Sequence, residues 1–120
     1  MNKGKNFEKL IVLRKYQDYL VWLLVSINKY PRKQKYLLGD RIGNKAFDIL
    51  EQLIDIQYTK REARLKKFDK LNLDLEKLRQ FLRVSLKMKF ISEKNFIWQE
   101  LKINEVGRMV RGLVDFSKNQ

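Results

Sequence analysis

Apolar and polar positions alternate at three- and four-residue intervals in four separate stretches of the chain, and strand-like alternation persists nowhere. That spacing puts the apolar side chains on one face of an α-helix, and such a face needs a partner surface to cover it. The first stripe is Leu13, Tyr16, Leu20, Leu23, Ile27 and Tyr30, and the second is Ile42, Ala46, Ile49, Leu53 and Ile56. Phe68, Leu71, Leu75, Leu78 and Leu82 make the third, while Ile103, Val106, Val110 and Leu113, with Phe96 ahead of them, make the fourth. Pro31 cannot continue a helix and disfavours helical geometry at Tyr30. Ser92 is suited to cap the fourth helix, with Glu93 placed for its dipole. The pattern predicts helices near 7–30, 34–59, 64–90 and 93–117. Each would be roughly 37 Å long, and the short connections favour an antiparallel up-down-up-down four-helix bundle. With no internal repeat and no linker, residues 1–120 are expected to form one all-α domain.

The first helix carries more apolar surface than one seam requires. Tyr19, Val21, Trp22, Leu24 and Val25 make it apolar nearly all round. Apolar surface in excess of one core usually marks an interface, so these five residues are expected to face another subunit of a homo-oligomer. The run Tyr19–Val25 is far too short to span a membrane, which takes about 20 apolar residues. The first residues lead into a patterned helix and not into a signal-peptide block. A soluble, cytoplasmic protein without membrane attachment is expected. Gly39 and Gly43, four apart in the second helix, suggest close approach of a neighbouring helix.

Charge changes the picture most. The chain has 27 Lys and Arg against 14 Asp and Glu, a net charge of +13. Solubility asks for much less, and a polyanionic partner offsets the self-repulsion. Residues 60–89 hold eleven basic and four acidic side chains, a net of +7. Arg64, Lys66 and Lys67 crowd the start of the third helix, and Arg79, Arg83 and Lys87 recur every four residues along it. Lys29, Arg32, Lys33 and Lys35 surround Pro31, and Arg108 with Arg111 add a pair on the fourth helix. Asp48, Glu51 and Asp55 on the second helix could pair with Arg79 or Arg83, but acids are too few to absorb the excess. These twelve basic residues are therefore the expected nucleic-acid surface. Zinc-finger spacing, aromatic RNA-binding strands and a basic zipper are all lacking, which implies contacts to the backbone and steep salt dependence.

Catalysis has little to work with. The chain has no His and no Cys, which removes the usual general base, the usual zinc ligands and disulfides. Glu51 with Asp55, or Asp74 with Glu76, are the nearest carboxylate pairs, and neither sits in an apolar stripe. No catalytic residue, cofactor or metal site is expected.

Several segments carry a resemblance. They are Phe7-Glu8-Lys9-Leu10, Asn28-Lys29-Tyr30-Pro31-Arg32-Lys33-Gln34-Lys35-Tyr36-Leu37-Leu38-Gly39-Asp40-Arg41-Ile42, Leu75-Glu76-Lys77-Leu78-Arg79-Gln80-Phe81-Leu82-Arg83 and Glu105-Val106-Gly107-Arg108-Met109-Val110. In this order and spacing the chain resembles the accessory variability determinant (Avd) family of diversity-generating retroelements. One departure is local: Arg111-Gly112-Leu113 stands where the family often has paired glycines and a tryptophan. The resemblance implies a four-helix bundle assembled as a homopentameric barrel. It also implies binding to nucleic acid (template RNA or its cDNA) and to the element's reverse transcriptase, in support of mutagenic reverse transcription, with no polymerase activity. The alternatives are a bundle protein of the type encoded in ribosomal RNA intervening sequences, which fits the early segment equally, or a basic scaffold for an acidic protein partner.

Overall fold

The computed structural model describes the backbone of residues 3–118 and the side chains of residues 11–115. The side chains of the Phe7–Leu10 segment therefore lie outside the described residues. Four long helices form a bundle: α1 (Lys3–Ile27), α2 (Asp40–Tyr58), α3 (Arg64–Lys87) and α4 (Glu93–Lys118). Helix α1 packs on α2 and α4, and α3 packs on the same two, so helices adjacent in sequence are adjacent in space. The result is an elongated body of 49 × 22 × 18 Å.

Two of the three connections show why the helices stop. Tight i→i+3 bonds close the end of α1, from the Lys29 and Tyr30 amides to Ser26 and Ile27, and Pro31 then turns the chain (φ −52°, ψ 144°). The helix thus ends at Ile27 and not at residue 30. Pro31 opens a short turn, Arg32–Gln34, followed by a π-helical turn, Lys35–Gly39, that runs straight into α2. Gly39 is needed there, since a Cβ would lie 2.8 Å from Ile27 Cγ2. At Gly43 a Cβ would meet Leu24 only at ordinary contact distance, 3.8 Å.

At the end of α3, Lys89 takes the left-handed conformation (φ 63°) that usually falls to glycine. The Phe90 amide reaches Ser85 O and the Lys89 amide reaches Leu86 O, which satisfies the last carbonyls of the helix. Ser92 caps α4 as the sequence predicts, its Oγ accepting from the Asn95 amide at 3.1 Å.

The four predicted stripes line the core, with Leu23, Ile49, Leu75 and Ile103 among its buried members. On α1, however, Val12 is buried and Leu13 only partly so. Three buried polar side chains sit within this apolar interior: Asp74, Ser85 and Gln99. Each has a partner, as burial without one is costly. Asp74 accepts from Gln52 and Lys45, Ser85 from Tyr30, and Gln99 from Tyr19. Among the described residues, no helix is long and apolar enough to cross a membrane.

Candidate nucleic-acid interface

Two stripes face each other between α3 and α4. Phe68, Asn72 and Arg79 come from α3, and Asn104, Arg108 and Arg111 come from α4 at intervals of four and three. Together with Gly107 they line a groove of about 310 Å³. Its inner end is apolar: Phe68 is buried, and the Arg111 guanidinium lies 6.0 Å from its ring centroid. Farther along the same two helices, the Arg83 guanidinium sits 5.0 Å from the ring centroid of Phe96. Contacts of this kind hold a cation in place without neutralising it.

The arginines of the groove are not equivalent. Arg79 is the most enclosed. Its Nε and Nη2 both donate to Asn104 Oδ1, at 3.0 and 2.8 Å, and its Nη1 lies 3.1 Å from Glu76. The expected pairing of Arg79 or Arg83 with Asp48, Glu51 or Asp55 of α2 does not form. Both arginines lean towards α4, on the flank of α3 opposite the one that meets α2. Glu76 is held below its ordinary carboxyl pKa, chiefly by the amide of Gln80 and then by Arg79. Arg111 shares its Nε with Asp115 at 3.4 Å. Arg108 is exposed and has no carboxylate partner among the described residues.

The remaining basic residues fall into two further groups. Tyr30 bonds Ser85 and packs against Phe90 with ring centroids 5.5 Å apart, which brings the Pro31 turn to the end of α3. Lys29, Arg32, Lys33 and Lys35 therefore share one end of the bundle with Lys87. All are exposed except Lys35, which is partly buried. The stripe Arg79–Arg83–Lys87 leads from the groove towards that end. Arg64, Lys66 and Lys67 lie at the opposite end, where Arg64 Nε donates to Thr59 O at 3.1 Å. Lys67, seven residues before Asp74, falls on the α2 flank of α3, away from the groove, and Lys66 faces solvent.

The expected interface residues of α1 separate in the same way. Tyr19 is corrected outright: it is buried in its own bundle and donates to Gln99 Oε1 at 2.6 Å. Trp22 and Leu24 are partly buried, Trp22 against Trp98 of α4 with centroids 4.4 Å apart. Only Val21 and Val25 face outwards, 64% and 58% exposed. Packing of α1 on α2 and α4 accounts for Tyr19, Trp22 and Leu24 of the apolar girdle but not for Val21 and Val25. Sequence reasoning missed Asn72 and Asn104, although Asn104, Arg108 and Arg111 form one helical stripe that the spacing alone contains.

Among the described residues, no group of three or more carboxylates stands ready to hold a metal ion. Fold and charge together define a basic, all-α four-helix bundle protein with an arginine-lined groove. A family model described as bAvd-like matches residues 10–117, and the chain belongs to that family. Membership implies an accessory protein of a diversity-generating retroelement. No curated protein and no solved structure matches the chain.

Proposed function

We propose that this protein is a non-enzymatic accessory factor that binds template RNA or its cDNA, engages the retroelement's reverse transcriptase, and supports mutagenic copying as a homopentamer. The observation that carries the nucleic-acid part is the convergence of Arg79, Arg108 and Arg111 on one groove, continued by Arg83 and Lys87 along α3. Arg83, Lys87 and Arg108 are in no ion pair among the described residues, whereas Lys45 and Lys77 are both drawn to the buried Asp74. Positive surface therefore remains for phosphates on the α3/α4 side and at the Pro31 end, with Lys66 and Lys67 adding to it at the opposite end. Phosphate contacts of this kind release counterions, and each contributes about −0.7 to the slope of log K against log salt for a single strand, or about −0.9 for a duplex.

The test is binding to RNA, DNA and anionic vesicles over a salt series, with the wild type and a variant carrying Arg83→Glu, Lys87→Glu and Arg108→Glu. The expected result is tight, steeply salt-dependent binding to nucleic acid that the variant loses while its helicity is unchanged. A flat salt dependence overturns the reading, as does undiminished nucleic-acid affinity in the variant. Preference for vesicles, or for an acidic protein over nucleic acid, overturns it as well.

A further inference from the structure

The groove between α3 and α4 is small and open to solvent along its length. Its volume of about 310 Å³ lies at the lower end of the range for small-ligand sites, roughly 300–1,000 Å³. A rigid duplex keeps its bases stacked inside and cannot lay one in such a groove. A single unpaired nucleotide can, with its base taken out of the stack and its phosphate left at the rim. Unpaired bases are commonly held on aromatic rings or guanidinium planes and read along their hydrogen-bonding edges. Here the exposed Arg111 guanidinium, seated over the buried Phe68 ring, supplies such a plane, and Asn72 and Asn104 supply amides on the two walls.

Asn104 has a fixed orientation. Arg79 has only donors to offer, so the two bonds from its Nε and Nη2 must end on the amide oxygen, Oδ1. What Asn104 has left is its Nδ2 group, a donor with no partner among the described residues. The groove thus holds a donor locked in place beside the two guanidinium groups of Arg108 and Arg111. Arg79 is a positioning residue in this arrangement. It is braced by Asn104 and Glu76 and acts on a ligand through Asn104.

We infer that the α3/α4 groove is a subsite for one unpaired nucleotide of a single strand, with the base against the Arg111 plane, the phosphate held by Arg108, and the Asn104 amide donating to an acceptor on the nucleotide. The inference rests on the nucleic-acid reading above and adds strand state and contact residues to it. RNA and DNA share the required chemistry, a phosphodiester with an acceptor-bearing base.

The discriminating variant is Asn104→Asp, which has the same shape and keeps an oxygen for Arg79. It replaces the amide donor with a carboxylate, whose charge also repels phosphate. Binding of the full-length protein would be measured by fluorescence anisotropy with a labelled mixed-sequence 12-mer, as single-stranded RNA, single-stranded DNA and the duplex form of each. Chemical denaturation would run alongside. Asn104→Asp is expected to weaken single-strand binding by about tenfold or more, from the lost hydrogen bond and the added carboxylate together. Duplex binding is expected to change much less, and stability to be kept. Arg108→Gln is expected to show the same selectivity. Equal loss on single strands and duplexes overturns the subsite while leaving a general electrostatic surface intact. Unchanged single-strand binding in Asn104→Asp also overturns it. If the Arg83, Lys87 and Arg108 charge reversals are silent too, the nucleic-acid reading itself fails.

Discussion

The Tyr30 hydroxyl donates to Ser85 Oγ across 2.8 Å, joining the segment after α1 to the last turn of α3. These two helices are diagonal partners in the bundle, so the bond crosses its centre. Ser85 in turn donates to Phe81 O at 3.3 Å. Tyr30 and Ser85 are both buried, so water cannot replace a lost partner. Tyr30→Phe is expected to destabilise the fold by about 1–1.5 kcal/mol, read as a lower denaturation midpoint with an unchanged slope. The same variant loosens the link between the Pro31 turn and α3. Increased hydrogen exchange at residues 28–36, with α4 unaffected, is the accompanying expectation.

Buried tyrosines make the protein sensitive to alkali. Burial raises the hydroxyl pKa of Tyr16, Tyr19 and Tyr30 above the ordinary 10.0. The negative charge of Asp48 adds to the rise at Tyr16, and the bond to Ser85 opposes it at Tyr30. A raised folded pKa favours the protonated form in the folded state. The contribution is therefore complete below pH 10 and is lost above it, as the unfolded chain ionises first. Each such tyrosine removes about 1.4 kcal/mol per pH unit in that window. Denaturation midpoints at pH 9, 10 and 11 should fall with increasing steepness, and Tyr16→Phe should flatten the fall.

Much of this bundle can be read from spacing, because spacing decides which side of a helix is buried. Ile49, Leu75 and Ile103 follow directly from the stripes, and Ser92 follows from the preference of a helix start for a side-chain acceptor. What spacing does not contain is the register between helices. Arg79 looks like any other member of a basic stripe until α4 places Asn104 against it. Asp74 looks solvated until α2 brings Lys45 and Gln52 to it. Tyr19 looked outward-facing because a helix with two neighbours buries more of its circumference than one seam suggests. In the groove, the stripe Asn104–Arg108–Arg111 was present in the sequence, but only the opposing stripe of α3 makes it one wall of a cavity.

Two glycines give a paired prediction. A Cβ at Gly39 would meet Ile27 Cγ2 at 2.8 Å and the Gln34 carbonyl oxygen at 3.3 Å, whereas one at Gly112 would meet nothing within 4 Å. Gly39→Ala therefore forces the π-helical turn away from the end of α1, at a cost of about 1–3 kcal/mol. Gly112→Ala adds a better helix former to an open stretch of α4 and is expected to gain about 1 kcal/mol. Thermal melts of the two variants should move in opposite directions from the wild type. A common direction would show that the Gly39 backbone relaxes freely.

Assembly can be argued from the same exposure. A subunit interface can only bury surface that the protomer leaves open, which excludes Tyr19 and leaves Val21 and Val25 as the outward apolar residues of α1 among those described. Phe47 and Ile54 of α2 are 46% and 41% exposed, and their helical positions place them towards the α1 side. A face shared by α1 and α2 lies away from the arginine groove, so a ring of subunits built on it would leave every groove open to nucleic acid. Val21→Glu with Val25→Glu puts two carboxylates into that contact, where burial without a partner is costly. Native mass spectrometry is expected to show the proposed pentamer for the wild type and monomers for the double variant, with unchanged helicity. A wild-type monomer at micromolar concentration would remove the assembly proposal. A double variant that still assembles would move the interface to another face.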